Sequence, residues 1–579
     1  MKKWVIRSKK ADFPTIMEKH KISEVTARLL ANRDIIEEEE IRSYLEPNLE
    51  GLFNPMELKD MDKACMIIQE KITNSKKIRI IGDYDVDGIA ATYILYQGLV
   101  KCGAKVDFEI PDRVKDGYGI NSNIIHEAYK DGIDTILTCD NGISAIEQVK
   151  LAKEMGMTVI ITDHHEISFT EDGGKRVEDL PNGDAIINPK QEKCTYPNKI
   201  LCGAAVAFKL VQALYTIYKI EDKEWYSLLE IVAIATVCDV MDLIGENRIL
   251  VKLGIDLLKN TKNYGLNALM ELSNIHINKL SAYHLNASGR LDTAKKGLNL
   301  LLAQSKEEAY KLAKELKELN DIRKDMTAKG VELAIKMIEE TTLKEDKVLV
   351  VYLPDCHESI EGIIAGRIRE KYNKPSILLT KSEEGVKGSG KSIEQYNMNE
   401  ELKKCSNYLS KFGGHPMAAG LSLEEKNINN LREQLNENTR LTKEDLIAKV
   451  TIDIVLPLGF KTEELIEELE VLEPFGKGNT KPVFAERNIK VIKANILGKN
   501  QNVCKLNIIN KYGKRIDAML FGQVEPFLQE LTEKFGKEEV DKMFQNRQNK
   551  ITFSITYYPN INEYNGKRTT QIIINNYLI

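Results

Sequence analysis

Three aspartates spaced two residues apart, Asp83, Asp85 and Asp87, follow directly after the β-prone run 78–81. No basic residue lies among them, so nothing in the segment offsets the repulsion between their carboxylates. A divalent cation would remove that cost, and magnesium and manganese prefer carboxylate oxygen. A solvated acidic turn would have the same composition, but open α/β sheets build their sites at strand ends. The spacing therefore predicts a metal site.

The same arrangement occurs twice more along the chain. The β-prone run 135–139 ends in Asp140, and the run 158–162 leads to His164 and His165. Helical stretches lie between these runs, which indicates repeated strand–turn–helix units. Right-handed crossovers would make the strands parallel and bring their C-terminal ends to one edge of the sheet. The carboxylate and imidazole groups are therefore expected to converge there.

Two helices are predicted in the later part of this strand–helix region. The first begins with the small residues 203–208 and should pack tightly against its neighbours. The second is the apolar run 231–240, which reads as a buried helix with Asp239 near its C-terminal end. The helix dipole disfavours a carboxylate at that end, so a compensating cation is again favoured.

Composition limits the class of protein. The chain has 579 residues, too many for one hydrophobic core, so several domains are expected. Its net charge is -5, so binding to nucleic acid would depend on a local basic surface. The nine cysteines include no Cys-x-x-Cys pair and read as reduced core thiols. With no signal peptide and no apolar stretch of membrane-spanning length, we expect a soluble cytoplasmic protein that does not engage the membrane.

The pattern of elements predicts an α/β protein built from five segments. Leucines at helical spacing between 297 and 341 indicate long connecting helices, with a coiled-coil dimer as the competing interpretation. Short alternating strands near the C-terminus indicate a small β-barrel of the OB type. The five segments are an N-terminal accessory segment (1–60), a parallel-sheet domain (61–270), connecting helices (271–341), a second α/β domain (342–445) and the barrel (446–579).

Three glycine-rich loops place basic side chains beside glycine or serine backbone, which suits the cradling of phosphate. Tight turns with incidental basic residues are the alternative for any one of them. Their candidate residues are Arg290, Ser389, Lys391, Gly413, Gly414 and His415.

The stretch 385–392 fits the P-loop pattern letter for letter. A P-loop needs a strand immediately before it and a helix immediately after it. Here the charged stretch 381–384 intervenes, and strand or loop residues follow. A β-hairpin fits better, with 376–380 running out and 386–393 running back, and ATPase activity is not expected.

Four motifs together resemble the DHH phosphoesterase superfamily. They are Asp83-x-Asp85-x-Asp87-Gly88, Asp140-Asn141-Gly142, Asp163-His164-His165 and Cys238-Asp239-Val240. The Gly413-Gly414-His415 loop looks like the signature of the second domain that accompanies the DHH domain. The segment 472–479 and the terminal barrel resemble the single-strand-specific 5′→3′ DNA exonucleases of that superfamily. The resemblance covers nearly the whole chain, including the domain order.

This resemblance implies a site for two manganese or magnesium ions. Its ligands would be Asp85, Asp87, Asp140, His164 and Asp239, with Asp140 bridging the two ions and Asp83 completing one shell. His165 would contact the scissile phosphate or orient the ligands, and Asp163 would be structural. Asp140, His164 and His165 would be the catalytic residues.

The resemblance also implies that the glycine-rich loops bind the phosphates at the 5′ end of the strand. Arg290, Ser389, Lys391 and His415 would make those contacts, together with the Gly413-Gly414 backbone. The family commonly has arginine where this chain has Lys391. Lysine keeps the charge but lacks the bidentate fork of a guanidinium, so a weaker preference for a 5′-phosphate is expected.

The activity implied is two-metal hydrolysis of single-stranded DNA to 5′-mononucleotides, in recombination and repair. The enzyme would be a monomer that works with single-stranded DNA and with a single-strand-binding protein or a helicase. One alternative is a relative that cleaves short oligoribonucleotides or cyclic dinucleotides. Another is a catalytically silent scaffold, but such proteins lose acidic and histidine ligands that this chain retains.

Overall fold

The computed structural model describes residues 2–113, 119–172, 175–273, 294–382, 385–460, 462–564 and 566–579. These residues form two compact units. We call residues 52–241 and 250–448 the two-sheet unit, and residues 2–51, 242–249 and 449–579 the barrel unit. In the described part of the chain, no helix combines the length and the apolarity needed to span a membrane.

The N-terminal part of the barrel unit is mostly helical. Its elements are β1 (Lys3–Ile6), α1 (Phe13–His20), α2 (Glu24–Ala31) and α3 (Glu38–Leu45). Ser23 caps α2 by accepting a hydrogen bond from the Thr26 amide, and the acidic run 37–40 forms the start of α3. Carboxylates at a helix N-terminus are favoured by the helix dipole.

The first sheet of the two-sheet unit has five strands in the order β3-β2-β4-β5-β8, and all of its pairings are parallel. This confirms the predicted parallel-sheet architecture. The elements of this region are α4 (Met61–Thr73), β2 (Lys77–Ile81), α5 (Val86–Lys101), β3 (Lys105–Glu109), α6 (Ser122–Lys130), β4 (Thr135–Cys139), α7 (Ile146–Glu154), β5 (Thr158–Thr162), the hairpin β6 (Ser168–Asp172) and β7 (Lys175–Asp179), β8 (Ala185–Ile187), α8 (Gly203–Ile217), α9 (Asp222–Tyr226), α10 (Leu229–Cys238), α11 (Gly245–Leu258) and α12 (Tyr264–Ser273).

Helices cover both faces of this sheet, as a parallel sheet requires. On one face α5 and α8 pack with α10 into a large apolar core, and on the other α6 and α7 pack against β4 and β5. Every residue of β4 is buried, which explains its uninterrupted apolar and small sequence.

Two helices connect the first sheet to the second. They are α13 (Lys295–Leu302) and α14 (Lys306–Glu340), and the 35 residues of α14 span roughly 50 Å at 1.5 Å per residue. The predicted leucine stripe lies on α14, where Leu312 and Leu316 pack into the core of the first sheet. These two leucines therefore pack within the chain, whereas Ile322 and Leu333 farther along α14 are exposed.

The second sheet is mixed and has the order β12-β13-β11-β10-β9. Its elements are β9 (Leu349–Tyr352), α15 (Glu361–Tyr372), β10 (Ser376–Ser382), β11 (Gly385–Lys391), α16 (Met398–Lys404), β12 (Lys411–His415), β13 (Ala418–Leu423) and α17 (Ile428–Asn438). The pairing of β9 with β10 is parallel, and the other pairings are antiparallel.

The sequence that mimics a P-loop is the returning strand of a hairpin. β10 and β11 pair antiparallel, with Ser376 opposite Lys391 and Ser382 opposite Gly385. A side chain at Gly388 would lie 2.3 Å from Leu379, and one at Gly390 would lie 3.0 Å from Met398. These glycines therefore serve side-chain packing, and the predicted hairpin is confirmed.

The C-terminal part of the barrel unit is a barrel of the predicted OB type. Its strand order is β15-β16-β17-β18-β20-β19, and β16 also pairs with β19 to close the sheet. The elements are β14 (Lys449–Ile452), β15 (Ile454–Val455), α18 (Glu463–Glu470), β16 (Phe484–Leu497), β17 (Val503–Ile509), β18 (Arg515–Phe521), α19 (Val524–Phe535), α20 (Lys537–Phe544), β19 (Thr552–Tyr564) and β20 (Lys567–Leu578).

The first predicted barrel strand, 450–455, is two strands in the structure. β14 pairs in parallel with β1, whereas β15 pairs with β16 of the barrel. The break falls at the buried Asp453, whose carboxylate accepts a hydrogen bond from the Val483 amide. The strand is therefore interrupted at the residue whose carboxylate turns to bind the Val483 amide.

Tyr557 and Tyr558, on β19, are buried in the barrel core. The Tyr557 hydroxyl donates a hydrogen bond to the Leu456 carbonyl at 2.6 Å. Tyr512, on the turn between β17 and β18, is an exposed aromatic residue of this region, with 68% of its surface accessible. The aromatic residues inside the barrel therefore stabilise the fold.

The segment 472–479 closes on a buried asparagine in the barrel unit. Asn479 donates hydrogen bonds to the carbonyls of Leu472 and Pro474, and its own oxygen accepts from the Tyr44 hydroxyl and from Arg33. Four polar groups thus depend on one side chain, which ties the N-terminal helices to the loop before β16.

We expect Asn479→Ala to lower the melting temperature of the barrel unit by about 5–10 °C, because it leaves buried polar groups without partners. Differential scanning calorimetry of the full chain measures this shift. The exposed Asn500 provides the control, since Asn500→Ala should change the melting temperature little. Equal shifts for the two variants would show that the network does not stabilise the unit.

Candidate metal centre

The three aspartates of the first motif lie where β2 ends and α5 begins. Asp83 is buried two residues after β2. Asp85 caps α5 by accepting hydrogen bonds from the amides of Asp87 and Gly88 at 2.9 and 3.1 Å. A side chain at Gly88 would lie 2.4 Å from the Asp83 carbonyl oxygen, so only glycine permits this close turn. The local sequence thus holds three carboxylates on one tight strand-to-helix turn.

The start of α8 holds the Asp87 carboxylate. The amides of Gly203 and Ala204 donate hydrogen bonds to its two oxygens at 2.6 and 2.8 Å. A helix N-terminus carries partial positive charge and so stabilises this anion. The small residues at 203–208 are therefore needed at this end of the sheet, where α8 approaches β4.

Asp140, His164 and Asp239 come from three further element ends and meet Asp87. The His164 imidazole Nε2 lies 3.1 Å from Asp140 Oδ1, 3.6 Å from Asp87 Oδ2 and 3.7 Å from Asp239 Oδ2. Asp140 has a positive φ of 60°, a conformation that costs energy and is found at functional sites. The predicted convergence of strand ends is present in the structure.

Asp163 holds His165 beside this cluster. Its Oδ1 lies 2.8 Å from His165 Nδ1 and also accepts hydrogen bonds from the His164 and His165 amides. Burial disfavours both charged groups, but their mutual hydrogen bond and charge lower the pKa of Asp163 to about 2 and raise the pKa of His165 to about 9. Asp163 therefore fixes the orientation of the His165 ring at the edge of the carboxylate cluster.

Within the described residues, three groups of side chains have ligand atoms within 4.8 Å of one another. The groups are Asp83 with Asp85 and Asp140, Asp87 with His164 and Asp239, and Asp140 with His164 and His165. Asp140 belongs to two of them, between the other carboxylates. A pair of cations with one shared carboxylate would use these groups.

The electrostatics of the cluster fit divalent cations. Burial first, and then neighbouring carboxylates, raise the pKa values of Asp83 and Asp239 to about 8 and raise the pKa of Asp140 well above its usual range. Asp83 Oδ1 and Asp239 Oδ2 are buried and accept no hydrogen bond from the described residues. Buried carboxylate oxygens of this kind are costly without a cation, and oxygen ligands suit Mg²⁺ and Mn²⁺.

Magnesium binding should strengthen as the pH rises. In the metal-free protein the raised pKa values keep protons on these aspartates, whereas an unfolded chain ionises near pH 3.9. The free energy of unfolding that these protonated aspartates contribute in the metal-free protein is therefore lost as the pH rises towards about 8. Below that pH, a cation must displace protons in order to bind. We expect the rise in melting temperature on adding Mg²⁺ to be larger at about pH 8 than at about pH 6. A shift that is the same at both pH values would contradict this picture.

Most of the candidate phosphate-binding residues, which we call the phosphate-loop residues, lie on strands β11 and β12 of the second sheet. Strand β13 lies between β11 and β12. Lys391 of β11 and His415 of β12 both pair with Ala418 of β13, and Ser389 and Gly413 both pair with Gly420, two residues farther along β13. Side chains alternate along a strand, and residues in register share a face of the sheet, so Ser389, Lys391 and His415 lie on the same face. Gly414 has a positive φ of 145°, and its Cβ would lie 2.4 Å from the Ala418 carbonyl. Arg290 lies outside the described residues.

Charges of this sheet and of the metal cluster act on the same neighbouring groups inside the two-sheet unit. The pKa of Glu166 is lowered chiefly by its hydrogen bond with Lys190, and also by the charges of His415 and His164. The Arg113 guanidinium lies 4.9 Å from the centre of the Tyr84 ring, and its charge acts on Glu361 at the start of α15.

Sequence reasoning missed Gly203, Ala204 and Arg113 as site residues. The glycine–alanine helix start at 203–204 predicts only tight packing when it is taken alone. A helix N-terminus near acidic strand ends could also have indicated that its amides bind one of the carboxylates. Arg113 follows β3 at the same sheet edge, and that position was its only signal.

Comparison with known proteins gives matches over most of the chain. The description "DHH family, N-terminal domain" matches residues 77–236, "DHHA1 domain" matches 345–440, and "RecJ OB domain" matches 452–576.

Two curated relatives carry the name "Single-stranded-DNA-specific exonuclease RecJ". The protein of Bacillus subtilis is 36% identical over 536 residues, which cover 90% of this chain and 66% of that protein. The protein of Haemophilus influenzae is 31% identical over 559 residues, which cover 92% of each. This chain thus spans about two thirds of the Bacillus protein.

A solved structure resembles the whole chain. It is RecJ of Thermus thermophilus in complex with Mn²⁺, with a TM-score of 0.80 and 25% sequence identity, covering 100% of this chain and 79% of that one.

Proposed function

The chain belongs to the RecJ family of the DHH phosphoesterase superfamily, and we propose that it is a metal-dependent exonuclease that degrades single-stranded DNA from its 5′ end to 5′-mononucleotides. One observation carries this proposal. Aspartates and histidines from four element ends converge on a buried cluster that suits two divalent cations. Relatives that align with at least 90% of this chain carry the name single-stranded-DNA-specific exonuclease.

We propose that Asp83 and Asp85 bind one cation, that Asp87, His164 and Asp239 bind the second, and that Asp140 bridges them. Bound Mn²⁺ or Mg²⁺ would supply Lewis acidity for an in-line displacement at phosphorus. The helix N-terminus at Gly203 fixes the Asp87 carboxylate. The Asp163 carboxylate holds His165 through its Nδ1, which would leave Nε2 to donate a hydrogen bond to the scissile phosphate.

The direction of degradation would follow from the second sheet. Ser389, Lys391 and His415, with the Gly413-Gly414 backbone and Arg290, would hold the 5′-terminal phosphate beside the metal cluster. Their shared face and the proximity of His415 to Glu166 support this role. An anchored 5′ end would present the first internucleotide bond to the site in every cycle.

The barrel unit would bind the strand farther from its end. Tyr512 is exposed on the turn between β17 and β18, and the Lys511 ammonium lies 4.8 Å from the centre of its ring. An exposed aromatic face with nearby cations suits base stacking and phosphate contact. A single-strand-binding protein or a helicase would deliver the substrate in recombination and repair, and the enzyme would act as a monomer.

Matched oligonucleotides test the activity. Single strands and duplexes labelled at the 5′ or the 3′ end are digested with Mg²⁺ or Mn²⁺, with EDTA as the metal-free control. The expected result is immediate release of a labelled mononucleotide from 5′-labelled single strands, gradual shortening of 3′-labelled ones, and intact duplex. Degradation from the 3′ end, or no cleavage with either metal, would refute the proposal. Cleavage confined to oligoribonucleotides or cyclic dinucleotides would favour the alternative enzyme.

A further inference from the structure

The loop after β8 places a basic residue beside the histidines of the site. β8 pairs in parallel with β5, with Ile187 opposite Thr162, so the residues that follow the two strands leave the sheet at the same edge. The buried Asn188 side chain donates a hydrogen bond to the His165 carbonyl at 3.0 Å and accepts one from the Lys190 amide at 2.9 Å. The backbone of Lys190 is therefore fixed to the segment that carries the site histidines.

The Lys190 side chain forms an ion pair that is easily exchanged. Its ammonium lies 2.8 Å from a carboxylate oxygen of Glu166, the residue that directly follows His165. The Glu166 side chain is 66% exposed and that of Lys190 is 23% exposed. An ion pair with so exposed a carboxylate contributes little to stability, because water and salt screen it. A phosphate oxygen can therefore replace the carboxylate on Lys190 at little cost.

The charge of Lys190 also acts on candidate ligands of the metal cluster. Burial first, and then neighbouring carboxylates, raise the pKa of Asp239, and Lys190 opposes that shift. Burial lowers the pKa of His164, and the Lys190 charge adds to that effect. Lys190 thus brings positive charge to the edge of the sheet where open α/β folds bind their ligands.

We propose that Lys190 binds a phosphate of the single strand next to the metal cluster, and that the Glu166 carboxylate occupies Lys190 until that phosphate displaces it. A lysine ammonium is a compact charge on a flexible stem, so it can turn from one anion to the other while Asn188 holds its backbone. Glu166 therefore competes with the strand for one cation. This inference rests on the proposed function, which supplies the strand.

Loss of Lys190 should remove one phosphate contact. Lys190→Ala should weaken the binding of single strands by about tenfold, the effect of one hydrogen bond to a charged group. The slope of log affinity against log salt concentration should become shallower by about 0.7, the value for one phosphate of a single strand. Fluorescence anisotropy with 3′-labelled oligothymidylates in EDTA measures both quantities without cleavage. A purely structural role of Lys190 would leave the slope unchanged, and that result would overturn the proposal.

A lysine on the same loop provides the matched control. Lys193 is exposed three residues farther along the chain. Lys193→Ala should change neither the affinity nor the salt slope. Equal changes in Lys190→Ala and Lys193→Ala would assign the effect to the general charge of the surface and would contradict a specific contact.

Loss of the competing carboxylate should have the opposite sign. Glu166→Gln should raise the affinity for single strands, because Lys190 no longer has to leave a carboxylate. This gain should be smaller when Lys190→Ala is also present. Glu192→Gln, at an exposed position of the same loop, should leave the affinity unchanged. Equal gains from Glu166→Gln with and without Lys190 would show general repulsion and would exclude competition for this cation.

Uncharged linkages locate the phosphate that Lys190 binds. A methylphosphonate removes the charge from a single linkage of the strand. At one of the first linkages from the 5′ end, it should abolish the difference in affinity between the wild type and Lys190→Ala, whereas near the 3′ end it should preserve the difference. A difference that persists at every linkage near the 5′ end would refute the proposal. Failure of the wild type to bind any of these strands would count against the proposed function itself.

Discussion

Asp140→Ala is expected to lower kcat/KM on single-stranded DNA by at least about 10³-fold, because the shared carboxylate of a two-cation site contributes several kcal/mol to transition-state stabilisation. Asp140 has ligand atoms close to those of both Asp83–Asp85 and His164–His165. Loss of this residue should disturb both cation positions at once. Steady-state kinetics with Mg²⁺ measure the effect.

The melting temperature of a second variant at this position, Asp140→Asn, provides the control for misfolding. Removing a buried carboxylate relieves the repulsion that raises its pKa, so Asp140→Asn should melt in EDTA at a temperature no lower than that of the wild type. The melting temperature of this variant should no longer rise on adding Mg²⁺. Asp325→Ala, on the exposed side of α14, should retain both activity and the magnesium shift. Retained activity in Asp140→Ala would exclude a bridging role.

Gly203→Ala is expected to lower kcat/KM by roughly 10²-fold, the cost of displacing a catalytic group by about 1 Å. An added Cβ would lie 2.6 Å from Asp140 Cβ and 2.8 Å from Asp140 Oδ1, so either α8 or Asp140 must move. The same movement would disturb the amide hydrogen bonds that Gly203 and Ala204 donate to Asp87. One methyl group should therefore disturb two carboxylates.

A glycine in open space gives the matched control. Among the described residues, no atom beyond the neighbouring backbone of its own helix lies within 4 Å of the Cβ position of Gly366 on α15, and its φ is not positive. Gly366→Ala should leave activity unchanged and stabilise the helix slightly. If Gly203→Ala also retained full activity and metal affinity, the close approach of α8 to Asp140 would have no catalytic consequence.

The sheet edge that bears the site could be predicted because its signal is local. β4 and β5 begin and end at the predicted residues, and the acidic and histidine residues follow them directly. The hairpin of β10 and β11 was predicted from what flanks the P-loop pattern, and the register confirms it. The positions of the candidate site residues at the ends of parallel strands thus follow from periodicity and chain order.

Contacts between distant parts of the sequence could not be predicted. The function of Gly203 depends on the approach of α8 to β4, and no local pattern encodes that distance. The hydrogen bond from the Ser23 amide to Glu468, and the one from Asn32 to the Asp453 carbonyl, join residues more than 400 positions apart.

The composition of the barrel unit has a consequence for biosynthesis. Leu29, Leu30 and Ile41 are buried in a core whose members lie partly in the N-terminal helices and mostly from Leu456 onward, in the part of the chain that is translated last. At 5–20 residues per second, the ribosome needs roughly 20–80 s to make the intervening chain. During that time the apolar faces of α2 and α3 lack most of their core partners, so nascent chains should recruit chaperones early and release them only after β20 is made.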